Sequence, residues 1–184
     1  MYEQGKKWRK WLKPVAAMAA ACVLHELYDW TGGSVWAGIF AAANESIWEH
    51  AKIISLSYLL IAFAEWLPTR KPAKRFWVSK TVGLWGIVCT TAAVYGLGKS
   101  LLYLPAAVHL LFTAAVLVGA FVLENAVARC KCEKWWIPAL LALLLYAVCY
   151  LSLTVNAPQN ALFKDPITGA YGLPTVQGVS TIPV

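Results

Sequence analysis

Long apolar runs alternate with short polar or basic segments along this chain of 184 residues. A helix of about twenty apolar residues is long enough to cross the hydrocarbon core of a bilayer. The pattern predicts five such helices, over residues 14–30, 46–66, 76–96, 101 or 105–128, and 135–155. We therefore expect an all-α integral membrane bundle of about five transmembrane helices, with a transmembrane domain that covers residues 14–155.

A shorter apolar run, residues 34–43, separates the first two predicted helices. It is too short to cross a bilayer and is typical of a re-entrant or interfacial half-helix. The polar stretch NESIWEH follows at residues 44–50, where Ser46 and Glu49 have the spacing of a capping box at the start of a helix. Irregular backbone at membrane depth must be buried in protein or line a wet cavity. Residues 34–50 are therefore predicted to dip in, turn at Asn44 and deliver polar side chains to a cavity.

Composition and charge indicate a membrane location and the orientation of the chain in the membrane. Hydrophobic residues make up 60% of the chain and charged residues 14%, whereas soluble domains are about half apolar and a quarter charged. Of the 16 Lys and Arg residues, five precede the first predicted helix, five lie between the second helix and Lys80, and three lie between the last two helices. Such residues mark cytoplasmic loops. Residues 1–13 are thus predicted to be a basic cytoplasmic amino terminus, and residues 156–184 an extracytoplasmic tail.

The basic residues and the cysteines exclude other classes of protein. The basic residues lie in short clusters between apolar runs and form no face interleaved with aromatic residues, so we expect no nucleic-acid partner. The five cysteines do not form a disulfide framework, and Cys130 and Cys132 alone are a weak metal signal. The basic start followed by AAAC at residues 19–22 leaves a signal sequence open as an alternative, although the stretch also suits a first membrane span.

The three histidines fall at similar depth, near the outer ends of three predicted spans. Carboxylates accompany them, and Lys52 alone opposes their negative charge nearby. Ionisable groups at membrane depth are costly, so their default interpretation is functional. Neutral imidazole with carboxylate is a ligand set for zinc, iron or manganese. The predicted metal ligands are His25, Asp29, His50 and His109, and the predicted general bases are Glu26, Glu45 and Glu49.

These residues favour a metal-dependent membrane enzyme that hydrolyses a lipid or lipid-linked substrate. The same groups also suit a small cation or proton transporter, in which they would form a relay. A third alternative is a non-catalytic, partner-binding protein whose polar cluster only joins helices. In that case His25 would hydrogen-bond across helices, and Glu45 and Glu49 would pair with Lys52.

Two sequence stretches carry a resemblance to known families. HELYDW at residues 25–30 and NESIWEHAK at residues 44–52 resemble a family of small, multispanning bacterial membrane proteins known only as a domain of unknown function, and DPITGAYG at residues 165–172 resembles that family's end. The resemblance covers most of the chain and implies a prokaryotic cytoplasmic-membrane protein.

A looser similarity is to the alkaline ceramidases and adiponectin-type receptors, which hold zinc among intramembrane Ser, Asp and His residues. Three His, Asp29 and Ser46 match those residue types, but the paired His expected near the end of the last span is missing. This similarity therefore implies analogous chemistry and not membership.

Overall fold

The regular structure of this computed structural model is helical throughout the described residues, which are 2–69, 74–97 and 105–173. Six α-helices follow one another: α1 (Tyr2–Trp30), α2 (Val35–Phe40), α3 (Ile47–Thr69), α4 (Lys74–Leu97), α5 (Ala106–Ala128) and α6 (Trp136–Val155). A 3₁₀ turn, Glu133–Trp135, leads into α6. The prediction of an all-α fold is confirmed.

Four of these helices are long and apolar enough to cross a membrane, over Ile47–Pro68, Lys74–Gly96, Ala106–Ala128 and Glu133–Val155. They correspond to α3, α4, α5 and α6 and indicate a membrane protein. The helix α1 is longer, with 29 residues, but it is not among the four. Basic residues near its start and His25, Glu26 and Asp29 near its end lower its hydropathy.

The start of α1 differs from the prediction, because the helix begins at Tyr2 and contains Pro14. Lysine and arginine are good helix formers, so the basic segment continues the apolar helix instead of preceding it. The proline ring is buried in the bundle, and its missing N–H removes a single backbone hydrogen bond. The basic amino terminus is therefore part of α1.

Three parts of the predicted organisation lie outside the described residues. They are the middle of the basic turn, residues 70–73, the connection at Gly98-Lys99-Ser100, and the part of the tail beyond residue 173.

The helices pack around α3 and α4, which supply the centre of the bundle. Tyr58 and Ile54 of α3, Leu84 of α4 and Leu117 of α5 are fully buried. The ring of Tyr58 lies 5.1 Å from that of Phe121 between centroids. The helix α4 contacts α3, α5 and α6, whereas α1 packs on α3 and α5.

An ion network joins four helices at the end of the bundle away from the histidines. We call this end the lysine end. Lys80 of α4 donates to Glu65 of α3 and, at 2.7 Å, to Glu124 of α5. Lys13 of α1 pairs with Glu65 and lies 3.7 Å from Glu124. Tyr58 donates to the second oxygen of Glu124 at 2.7 Å. Two lysines and two glutamates thus balance one another. Lys80 and Glu124 are buried, whereas Lys13 and Glu65 are half-buried, and the buried charges need this compensation most.

Gly83 of α4 allows the close approach of Tyr58, and we expect Gly83→Ala to destabilise the bundle. An added Cβ atom would overlap the Tyr58 hydroxyl and lie 2.9 Å from its Cζ atom. Tyr58 cannot move away easily because it is fully buried and bonded to Glu124. Overpacking of this kind costs about 1–3 kcal/mol, which thermal unfolding of the detergent-solubilised protein would detect as a lower Tm.

Gly119→Ala is the matched control within α5, because an added Cβ atom there meets nothing within 4 Å. Alanine is favoured over glycine inside a helix by about 0.5–1 kcal/mol. Its Tm should therefore stay the same or rise. Equal Tm values for the two variants would contradict the packing described for Tyr58.

Candidate metal centre

The chain reverses direction after α1 through two glycines with left-handed backbone. Gly32 and Gly33 have φ angles of 66° and 77°, a region that L side chains adopt at a cost. Their N–H groups donate to the carbonyl oxygens of Asp29 and Tyr28, both at 3.0 Å. This turn starts the return segment, residues 34–46, which contains α2 and leads back to α3.

The backbone of the return segment obtains its polar partners from neighbouring helices. The N–H of Ala43 donates to the carboxylate of Glu49 at 2.7 Å, and the ammonium of Lys52 donates to the carbonyl oxygen of Gly38 at 2.8 Å. Glu49 and Lys52 also pair with each other at 2.6 Å, and both side chains are almost fully buried. The two charges of α3 therefore compensate each other and also satisfy backbone groups that the irregular segment leaves open.

Asn44 and Ser46 shape the junction with α3. The side-chain oxygen of Asn44 accepts from the N–H of Ser46 at 2.9 Å, and the Ser46 hydroxyl accepts from the N–H of Glu49 at 3.3 Å. The serine half of the predicted capping box is therefore formed, whereas Glu49 turns to Lys52 and Ala43 instead of reaching back to Ser46. Because α3 begins at Ile47, Glu45 lies before the helix and shares no helical face with Glu49.

Glu45 lies between two imidazoles. One carboxylate oxygen is 3.4 Å from Nε2 of His25 on α1, and the other is 3.5 Å from Nε2 of His50 on α3. Each of the three residues offers one ligand atom within 4.8 Å of the others. The group formed by His25, Glu45 and His50 can thus hold a metal ion; we call it the His/Glu/His group.

The outer hydrogen bonds of both imidazoles fix which nitrogen faces Glu45. Nδ1 of His50 lies 3.0 Å from the carbonyl oxygen of Ser46, and Nδ1 of His25 lies 3.0 Å from the carboxylate of Glu26. Both partners only accept, so each Nδ1 carries the proton and donates it. Each Nε2 then faces a carboxylate oxygen, and their lone pairs repel unless a proton or a metal cation lies between them.

The separations agree with ligation of a metal. Ligand atoms about 2.0–2.2 Å from a tetrahedral zinc ion lie about 3.3–3.6 Å from one another. Each imidazole Nε2 lies at such a distance from one of the two oxygens of Glu45. Charged hydrogen bonds between nitrogen and oxygen are shorter, at about 2.7–2.9 Å. A backbone carbonyl or carboxylate on the second imidazole nitrogen is the usual support of a metal-binding histidine.

His109 extends the arrangement from α5. Its ring centroid lies 5.7 Å from that of His50, outside the His/Glu/His group. Its Nδ1 atom is 2.8 Å from the hydroxyl of Tyr95 on α4, and the two rings are nearly parallel. The structure thus gathers all three histidines at one end of the bundle, which we call the histidine end.

The remaining predicted residues take different positions. Glu26 is exposed and bonds His25. Glu49 is buried in its ion pair with Lys52. Asp29 is exposed and is not among the side chains that line the cavity beside the histidines. The roles of these residues as bases or ligands stay predictions.

A cavity of about 500 Å³ opens beside the His/Glu/His group. Its walls come from α1, the return segment, α3, α5 and the segment after α6. They include residues that the sequence did not single out for the site. The lining residues are Met18, Ala21, Cys22, His25, Glu26, Glu45, His50, Ile53, Ala106, His109, Leu110, Thr113, Pro166 and Ile167.

The segment after α6 folds over the return segment. Asp165 closes a tight turn, because its carboxylate accepts from the N–H of Ile167 at 2.9 Å and from the Thr168 hydroxyl at 2.5 Å. The turn presents Pro166 and Ile167 to the cavity. The amide of Asn44 donates to the carbonyl oxygen of Gly172 at 3.0 Å. The turn signals in DPITGAYG predict this local shape. Whether the tail covers the cavity could not be decided from the sequence, although Asp165 made such a contact worth testing.

We expect Glu49→Gln to destabilise the protein strongly, because it leaves the Lys52 ammonium buried without its counter-charge. Breaking one side of a buried ion pair costs about 3–5 kcal/mol. Thermal unfolding in detergent should show the loss as a lower Tm.

The double variant Glu49→Gln/Lys52→Met removes both charges and should recover part of that stability. If Glu49→Gln alone were as stable as the wild type, the ion pair would not support the return segment. The predicted role of Glu49 as a general base would then be favoured again.

Comparison with known proteins places the chain in a family. Residues 1–173 match the family of unknown function DUF6512, and the chain belongs to that family. No curated protein and no solved structure matches it.

Proposed function

We propose that this DUF6512 protein is a metal-dependent membrane enzyme that hydrolyses a lipid or lipid-linked substrate. One observation carries the proposal: two imidazoles, each with Nδ1 bonded to an acceptor, present Nε2 to the two oxygens of one carboxylate. Three protein ligands with one position left for water are the pattern of catalytic zinc sites. Zinc is the first candidate, and iron or manganese are the alternatives.

In this proposal the residues of the site have separate roles. His25, Glu45 and His50 hold the ion, while Glu26 and the carbonyl oxygen of Ser46 fix the two imidazoles by accepting from Nδ1. A metal ion held by these residues would lower the pKa of a coordinated water to about 7 and would polarise the bond to be cleaved.

His109 is our choice for the group that moves the proton. It lines the same cavity and is oriented by Tyr95, so it can take a proton from the attacking water and pass it to the leaving group. Glu49 is less suited to this task because it is almost fully buried beside Lys52. Glu45 is less suited because it serves as a ligand.

We further propose that α1 is the fifth membrane span and that the histidine end faces the extracytoplasmic side. The α2 half-helix then dips into the membrane from that side. The support is the bias of Lys and Arg toward the opposite side of the bundle, where Lys13 and Lys80 take part in the ion network. The protein would lie in a prokaryotic cytoplasmic membrane.

The first test is the metal content of the intact protein purified in mild detergent. We expect about one zinc, iron or manganese ion per chain by mass spectrometry, since the three ligands make one site. The His25→Ala/His50→Ala variant should lose it. Metal-loaded protein should then be assayed for release of fatty acid or headgroup from membrane lipids.

Asp29→Ala is the matched control, because this carboxylate lies on the same helix as His25 but does not line the cavity. It should retain the metal. Wild-type protein that is well folded and binds no metal after the ions are added back would overturn the proposal.

A proton or cation relay is the second candidate function. It is favoured by the row of titratable groups Glu26, His25, Glu45, His50 and His109, which line one cavity. Under this alternative, wild-type protein in vesicles dissipates a proton gradient, Glu45→Gln abolishes the effect, and no metal is bound. Gradient loss that is equal in both proteins would exclude the relay.

A further inference from the structure

The walls that α1 and α3 give the cavity beside the His/Glu/His group change from polar to apolar along its depth. On α1, His25 and Glu26 lie at the histidine end, and Ala21 and Met18 line the wall one to two turns deeper. On α3, Ile53 follows His50 in the same direction. A polar end and an apolar end in one cavity match the two ends of an amphiphile.

The cavity opens toward the side of the bundle between α1 and α5. Cys22 of α1 and Leu110 of α5 line it and are exposed, Leu110 to 48%. The side chains beside this opening are large, apolar and exposed: Val23 on α1 is 49% and Leu111 on α5 is 72% accessible. The helix α5 is long and apolar enough to span a membrane, so its exposed apolar side chains contact lipid. With α1 as the proposed fifth span, the opening meets the hydrocarbon of the bilayer.

The depth of the cavity is limited. Met18 lies seven residues before His25 on α1, which corresponds to about 10 Å along the helix. This is about a third of the hydrocarbon thickness of a bilayer. Ala17 and Leu117 are fully buried and lie at the next positions of α1 and α5, before a separate cavity near Trp11. A longer chain must therefore leave sideways past Cys22 and Leu110.

We propose that this cavity binds one long apolar chain of a bilayer amphiphile, which enters between α1 and α5 and places the bond next to its headgroup at the His/Glu/His group. The identity of the reacting bond rests on the proposed function. The binding of the chain is supported by the shape and the lining of the cavity. Pro166 and Ile167 line the cavity from the segment after α6.

The reactivity of the Cys22 thiol can report whether the cavity is occupied, and the Cys89 thiol is its matched control. Both thiols are free and exposed on apolar helices, but only Cys22 lines the cavity. The full-length protein is held in a steroid-based detergent, which has a rigid apolar part and no long flexible chain. Palmitoyl lysophospholipid is then added, and alkylation of each thiol by N-ethylmaleimide is followed by peptide mass spectrometry.

We expect the lysophospholipid at about ten times its Kd to slow alkylation of Cys22 about tenfold, while Cys89 reacts at an unchanged rate. Glycerophosphocholine, which has the headgroup and no chain, should protect neither thiol. The Leu110→Trp variant should reduce the protection of Cys22 because the larger ring occupies the cavity. Leu111→Trp, at the neighbouring exposed position, should leave it unchanged.

The experiment tests the binding of the apolar chain separately from the binding of the metal. Protection of Cys22 should persist after metal is removed by a chelator, since the apolar walls remain. Equal protection of Cys22 and Cys89, protection by glycerophosphocholine, or no protection of Cys22 would each overturn this inference. These comparisons use wild-type protein and need no variant to fold. Selective protection in a protein that binds no metal would support the binding of the apolar chain and would overturn the proposed hydrolase function.

Discussion

The ion pair of Glu49 and Lys52 is the interaction on which the geometry of the centre depends. A chain that turns back inside an apolar bundle leaves N–H and C=O groups that water cannot reach, and each must find a partner. Glu49 and Lys52 supply two of these partners while they neutralise each other. Their carboxylate and ammonium hold the return segment against α3, so that Glu45 arrives between the imidazoles of two different helices.

Charge is balanced separately at the two ends of the bundle. At the lysine end, Lys13 and Lys80 meet Glu65 and Glu124, and the network joins α1, α3, α4 and α5. At the histidine end, carboxylates and imidazoles meet, and the ion pairs among the described residues there contain one lysine, Lys52, which is already paired with Glu49. The first arrangement is complete in itself, as suits a structural network. The second has room for an added positive charge, as suits a centre that binds a cation.

The sequence was sufficient for the all-α fold and for the approach of the three histidines, because apolar periodicity and depth along a span can be counted residue by residue. It was not sufficient to choose among the carboxylates. Glu45 meets the imidazoles because α3 begins at Ile47, and a shift of one residue would turn its side chain elsewhere. The partnership of Lys80 with Glu124 depends on how α4 packs on α5, and neither residue has a local pattern that reveals it.

Two contacts link parts of the chain that are synthesised at different times. They join Asn44 to Gly172 and Gly38 to Leu173. In the first pair the residues are 128 positions apart, and in the second Leu173 fills the space above a residue without a side chain. The ribosome completes α3, α4, α5 and α6 before either contact can form. The wall at Pro166 and Ile167 is thus added last, which couples assembly of the centre to the completion of membrane insertion.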